Sequence, residues 1–212
     1  MSLENILKKM ERDSFSLRDK GTRFEELIKN WFLSAPLYCD DIKEIWLWNE
    51  FPYRNQFGGS DSGIDLVILT DKNEYQAVQC KFYSSDKHID KADVDTFIST
   101  SAKLFEVDGI KVKFSSRLFV STTNHWSKKA SDLIENQEIP VIRISLNTLE
   151  DSGVDWDKLY SGNTGDKARK EKKKIREHQE AALKNVHLHF KSANRGKLIM
   201  ACGTGKTFTS LK

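Results

Sequence analysis

Apolar residues recur at helical spacing early in the chain. Phe24, Leu27, Ile28 and Trp31 follow the i, i+3, i+4, i+7 rule, which predicts a helix with one buried face. The polar, amphipathic stretch 2–13 predicts a short leading helix before it. Residues 42–48 suit a strand or a helix. The run IDLVILT (64–70) ends at Asp71-Lys72-Asn73, and YQAVQCKFY (75–83) follows it, so the two predict a hairpin. Helical period returns over 91–105, with Val94, Phe97, Ile98, Ser101 and Phe105 on one side. A strand (117–123), a helix (127–137) and a further strand (140–145) come next, and 147–160 closes the domain. Strands alternating with helices at this spacing predict an α/β layer structure with a central mixed β-sheet flanked by helices. No internal repeat is present.

Composition fits that picture. The apolar fraction is 38%, with twelve Phe and five Trp to build a core. No apolar run approaches the roughly 20 residues that span a bilayer, and the amino terminus lacks the apolar region of a secretion signal. Cys39, Cys80 and Cys202 are far apart with no CxxC pair, which argues against a disulfide framework or zinc site and for a cytoplasmic protein. The net charge of +3 hides an asymmetry. Residues 1–160 carry 21 Lys+Arg against 27 Asp+Glu, whereas 161–195 carry 10 against 4. The basic excess begins at SGNTGDKARKEKKK and reads as a linker running into a helix, able to touch phosphates or simply solvated. The expected organisation is a domain over 1–160, a basic linker over 161–175, and a second element over 176–212.

Three separated pieces of the first region point to one chemistry. Asp65 follows the glycine-rich turn FGGSDSG and enters an apolar strand. In the next strand Gln79 and Lys81 share one face while Val78, Cys80 and Phe82 share the other. A Gln and a Lys on a hydrophobic strand need a partner, because burying them unpaired is costly. Asp65 supplies one. A carboxylate, an amide and an ammonium at one hairpin end suit phosphodiester hydrolysis. Mg²⁺ takes one or two carboxylates, keeps waters in its shell and activates one of them; a lysine orients that water and offsets developing charge. On the early helix, Glu25 lies at the border of the apolar face and can look into the sheet, whereas Glu26 should face water. Each piece alone has a plainer reading, since an Asp can cap a turn and a QxK strand can be an exposed edge.

GTRFEELIKNWF, GGSDSGIDLVI and AVQCKFY resemble the three blocks of Mrr-like nucleases in the PD-(D/E)xK superfamily. The wider stretch KADVDTFIST…RLFVSTTNHWSKKA…IPVIRIS resembles the nuclease region of the Type ISP restriction–modification enzymes. The resemblance implies a restriction-endonuclease-like core acting on double-stranded DNA, with Mg²⁺ as cofactor and Mn²⁺ able to substitute. It implies an active site of Asp65, Gln79 and Lys81 with Glu25 assisting, and metal ligands Asp65, Gln79 and the backbone carbonyl of Cys80. The sequence departs from the superfamily name by carrying Gln79 where Asp or Glu is usual, which removes a charge from the metal site. A DNA-binding module with weak or no cleavage is the alternative reading.

Near the carboxyl end, KLIMACGTGKT (197–207) reads as a short strand followed by a phosphate-cradling loop. Gly203 and Gly205 would free the backbone N–H groups, Lys206 would reach the β/γ-phosphates and Thr207 would ligate Mg²⁺. Met200 stands where the full pattern has Gly. Upstream, IREHQEAALKNV places Gln179 as in the Q motif of superfamily 2 helicases, which this segment resembles; the resemblance implies that Gln179 reads adenine. Only five residues follow Thr207, so ATP binding and turnover are expected of a longer parent protein, and no ATPase activity of this segment. Such a parent would also supply the rest of the motor, a methyltransferase and target-recognition regions. His178 falls in the Q-like segment, and His187 and His189 read as helix-surface residues. Thr122, Thr123 and His125 follow a strand end and are candidate DNA contacts.

Overall fold

The computed structural model describes residues 2–58, 63–171, 175–200 and 209–210. The chain divides into two compact units, Met1–Lys170 and Glu171–Lys212. Helix α1 (Leu3–Asp13) is capped by Ser2 and buries Leu3, Ile6, Leu7 and Met10. Helix α2 (Leu17–Phe32) is capped by Ser16, whose hydroxyl accepts from the Asp19 N–H, satisfying one of the donors that a helix start leaves open. It buries Phe24, Leu27, Ile28, Trp31 and Phe32.

The first unit is built on a five-stranded sheet ordered β1-β2-β3-β6-β7. Strands β1 (Ile42–Leu47), β2 (Leu66–Thr70) and β3 (Tyr75–Lys81) pair antiparallel in that order. Strands β6 (Phe114–Ser121) and β7 (Val141–Ile144) extend the sheet in parallel with β3. Helix α3 (Lys91–Ser101) and the hairpin β4 (Phe105–Val107) to β5 (Ile110–Val112) join β3 to β6, and α4 (Lys128–Ile134) joins β6 to β7. Short helices α5 (Leu146–Glu150) and α6 (Trp156–Tyr160) follow.

Strand β2 reads as an unbroken apolar run because both its faces are covered. Leu66 and Ile68 pack with Val78, Leu118 and the helices α1, α2 and α6, whereas Val67 and Leu69 pack with Ala77, Phe119, α3 and α4. Full burial of side chains of this size contributes roughly 1.5–3 kcal/mol each. The helix expected over 91–105 stops at Ser101. Phe105 instead opens β4 and packs in a ring cluster with Phe51, Phe57, Tyr75 and Phe114. The missed hairpin turns at Asp108-Gly109, both with positive φ (49° and 82°), the pairing that two-residue hairpin turns demand.

The basic segment expected as linker from 161 belongs to the first unit as far as Lys170. Ala168 is fully buried, the Arg169 guanidinium donates to the Ser34 carbonyl (2.9 Å), and Arg169 bridges Val154. Charge patterning counts the cations of this stretch without seeing the notch that receives them. In the second unit, α7 (Glu177–His189) is the main described element.

Candidate active site

The geometry at the carboxyl end of β3 follows from the strand register. Leu66 pairs with Val78, so Asp65 comes across from Gln79 as the antiparallel ladder continues. Backbone bonds hold Asp65 on both sides: its N–H donates to the Val78 carbonyl (2.8 Å) and its carbonyl accepts from the Trp48 N–H (2.7 Å). The Asp65 carboxylate accepts from the Cys80 N–H at 2.6 Å. Gly63, at φ +65°, lets the preceding turn approach α3. A Cβ there would lie 2.9 Å from the Phe97 backbone nitrogen, so the turn that delivers Asp65 needs glycine. Residues 59–62 of that turn lie outside the described residues.

Gln79 is 4% exposed and, among the described residues, its Oε1 has no hydrogen-bond partner. A buried, unpartnered amide oxygen is costly unless something outside the protein satisfies it. Lys81 ends β3 half-buried, and among the described residues it forms no ion pair. Cys80 faces the other way, against the aliphatic core. Burial raises its thiol pKa, and so do the nearby Asp65 and Glu25 charges, while Lys81 opposes them. One sulfur thus senses all three charged candidates.

Glu25 is half-buried on α2 and Glu26 is exposed, as the helical wheel requires. Its side chain runs back over Gly21, where an added Cβ would come within 3.8 Å of Oε1. Burial, then the charges of Asp65 and Glu26, push the Glu25 pKa up to about 7. Asp65 thus lies across the hairpin from Gln79, with Lys81 two residues further along β3, and Glu25 on α2 is near enough to Asp65 to feel its charge. Among the described residues no cluster of three or more His, Cys, Asp or Glu is arranged for a metal. The donors here are one carboxylate, the Gln79 amide oxygen and main-chain carbonyls, an all-oxygen set of the kind that suits Mg²⁺ or Mn²⁺.

Other sequence candidates fare differently. Thr122 and Thr123 are 2% and 0% exposed, with hydroxyls bonded to the Tyr83 and Lys87 carbonyls (2.6 and 2.7 Å), so they pin a loop and cannot meet DNA. His125 is exposed and stacks on His88, a residue that sequence reasoning passed over. In the second unit Gln179 is buried and its Oε1 accepts from the Arg176 N–H at 3.0 Å, capping its own helix. His187 and His189 are exposed on α7. Gly203, Gly205, Lys206 and Thr207 lie outside the described residues. No helix among the described residues is long and apolar enough to cross a membrane.

A mixed sheet flanked by helices, with this constellation at one strand end, defines a restriction-endonuclease-like α/β fold. The family model described as "Restriction endonuclease" matches residues 33–166, and the chain belongs to that family. A second model, "Type III restriction enzyme, res subunit", matches residues 172–212. Among solved structures, the chain is similar to an ATP-dependent Type ISP restriction-modification enzyme, LlaBIII, bound to DNA, at 30% identity and TM-score 0.70 over 97% of this chain. The chain spans 12% of the length of that structure's chain. A weaker likeness to the MspJI restriction endonuclease in complex with a 27-mer oligonucleotide (17% identity, TM-score 0.43, 69% of this chain and 30% of the other) adds nothing to the fold assignment. No curated protein matches the chain.

Proposed function

We propose that the first unit is a Mg²⁺-dependent endonuclease domain that cleaves phosphodiester bonds of double-stranded DNA. The observation that carries this reading is the buried, unpartnered Oε1 of Gln79 across the hairpin from Asp65. Asp65, Gln79 and the Cys80 carbonyl would hold the cation, with Mn²⁺ able to substitute. When bound, the metal lowers the pKa of a coordinated water and stabilises charge on the phosphoryl group. Lys81 orients the attacking water and offsets charge on the phosphate oxygens. Glu25, poised near neutrality beside Asp65, can take up or release a proton at working pH. In a longer parent protein the second unit would begin an ATP-driven DNA motor, with Gln179 on the adenine, Gly203, Gly205, Lys206 and Thr207 around the phosphates, and methyltransferase and target-recognition regions elsewhere in the chain.

Nicking of supercoiled plasmid with Mg²⁺ or Mn²⁺ tests the site. Asp65→Ala should slow it about 1000-fold, as loss of several kcal/mol of metal-based stabilisation requires, while the protein stays folded by circular dichroism. Cleavage at the wild-type rate would remove Asp65 from the site. Calorimetric titration of Mn²⁺ should show Gln79→Glu binding at least as tightly as wild type, because a carboxylate adds a hard anionic ligand; weaker binding would take Gln79 out of the metal shell. Two observations favour a second reading, a DNA-binding module without cleavage: Asp65 already serves the Cys80 N–H, and Gln79 brings no charge. Wild-type protein that binds duplex but never nicks it in either metal would decide for that reading.

A further inference from the structure

We propose that the exposed imidazole pair His88–His125 is a contact for the phosphate backbone of a DNA duplex, on the loops that continue the strand carrying Lys81. The inference rests on the nuclease reading and extends it to residues outside the metal site.

The two loops are built with unusual care for exposed segments. Strand β3 leaves the sheet after Lys81, whose carbonyl accepts from the Thr122 N–H (3.1 Å). The buried Thr122 hydroxyl then serves both sides of Tyr83, accepting from its N–H (2.8 Å) and donating to its carbonyl (2.6 Å). Thr123 donates to the Lys87 carbonyl (2.7 Å) and is also within reach of that of Ser85 (3.2 Å). A short parallel bridge zips the loops further out: the Ile89 N–H donates to the His125 carbonyl and the Ser127 N–H to the Ile89 carbonyl, both at 2.9 Å. Ile89 is fully buried beneath this bridge. The residues flanking it on one side, His88 and His125, are left exposed with ring centroids 5.2 Å apart and planes 27° from parallel.

Such rigidity contributes nothing to the core at the two rings themselves. Among the described residues, no ring nitrogen of either histidine has a hydrogen-bond partner. Asp86 is near enough to feel His125: its pKa is lowered first by the Ser84 hydroxyl, then by its own backbone, and also by His125. Lys87 lies over the Tyr83 ring at 4.2 Å, and Lys128 is exposed one turn beyond His125. Two exposed imidazoles with ring centroids 5.2 Å apart each offer an N–H donor, and phosphate and sugar oxygens receive half or more of protein–DNA hydrogen bonds. The location agrees, because ligands of sheets with parallel strands gather beyond the strands' carboxyl ends. A transition-metal site is disfavoured by the absence, among the described residues, of a third ligand.

The test uses the whole chain and a short fluorescein-labelled duplex, in chelator so that nothing is cut. By anisotropy at one fixed salt concentration, His88→Ala/His125→Ala should bind roughly fivefold more weakly, as the loss of hydrogen bonds to phosphate requires. His88→Lys/His125→Lys should restore affinity, and thermal unfolding of both variants should match wild type. Unchanged affinity in the alanine variant would overturn the proposal. So would tight Ni²⁺ or Zn²⁺ binding by the wild type that the alanine variant loses. Absent nicking by the wild type, with binding still dependent on the imidazoles, would instead sink the nuclease reading and leave this contact standing.

Discussion

Arg117 and Gln79 are both buried polar residues on adjacent strands of one sheet, two register positions apart, yet they are treated in opposite ways. Ala77 pairs with Arg117 and Gln79 with Phe119. Arg117 is 2% exposed, and its guanidinium is met by the Ser101 hydroxyl (2.6 Å), the Ile139 carbonyl (2.9 Å) and the Ile98 carbonyl (3.1 Å). Burial lowers its pKa, and the ring of acceptors compensates the lost hydration. Two of them lie at the carboxyl end of α3, where a helix exposes carbonyls and favours a cation. Gln79, as deeply buried, leaves an acceptor unmet. The Arg117 side chain is met by neighbours and the Gln79 oxygen is not, although the buried Ser116 hydroxyl beside Arg117 also lacks a partner among the described residues.

The comparison can be broken most forcefully at Arg117. Arg117→Met removes three hydrogen bonds to a charged group and orphans buried acceptors, which should cost about 2–4 kcal/mol after relief of the buried charge. Urea unfolding would measure it. A loss below about 0.5 kcal/mol would mean that the satisfied Arg117 is not where stability resides.

Glu25 sharpens the contrast through pH. Its folded pKa is about 7 against an ordinary value of 4.5, so the folded state holds a proton that the unfolded chain releases. That contribution is complete below about pH 4.5 and disappears as pH rises through 7. In chelator, Glu25→Gln should therefore match wild type near pH 4.5 and exceed it by about 1–3 kcal/mol at pH 8. Parallel stability curves for the two proteins across that window would show that neither burial nor the charge of Asp65 raises the Glu25 pKa as the structure implies.

The smallest effect has the most diagnostic sign. Gln79→Met deletes the unmet amide oxygen while keeping shape, and should stabilise the fold by about 1 kcal/mol while abolishing metal-dependent nicking. Destabilisation would show that Gln79 is part of the core's own accounting and not of the site.

Much of this was legible in the residues. Phe24, Leu27, Ile28 and Trp31 announced α2 because a 3.6-residue period survives any tertiary context that buries one face. The same period placed Glu25 inward and Glu26 outward. IDLVILT and YQAVQCKFY announced β2 and β3, and the period of two put Gln79 and Lys81 together, apart from Cys80. Phe105 misled, because a residue at helical phase carries no mark that the helix has ended; Asp108-Gly109 was the local signal that a hairpin follows. The reach of the first unit to Lys170 was hidden, since the notch around Ser34 that receives Arg169 is made by residues distant in sequence.

Alternation and spacing are local, and local geometry determined which side chains could share a face, which strands would pair across a polar turn, and which carboxylate on α2 looked inward. Whether those groups are satisfied is a question about neighbours from other elements. Only the tertiary structure decided that Arg117 finds three acceptors, that Gln79 finds none for its oxygen, that Thr122 and Thr123 turn inward to fix a loop, and that His88 and His125 meet at its surface. The physical reason is that hydrogen-bond satisfaction and desolvation depend on what surrounds a group in space, and a periodicity along the chain carries no record of that.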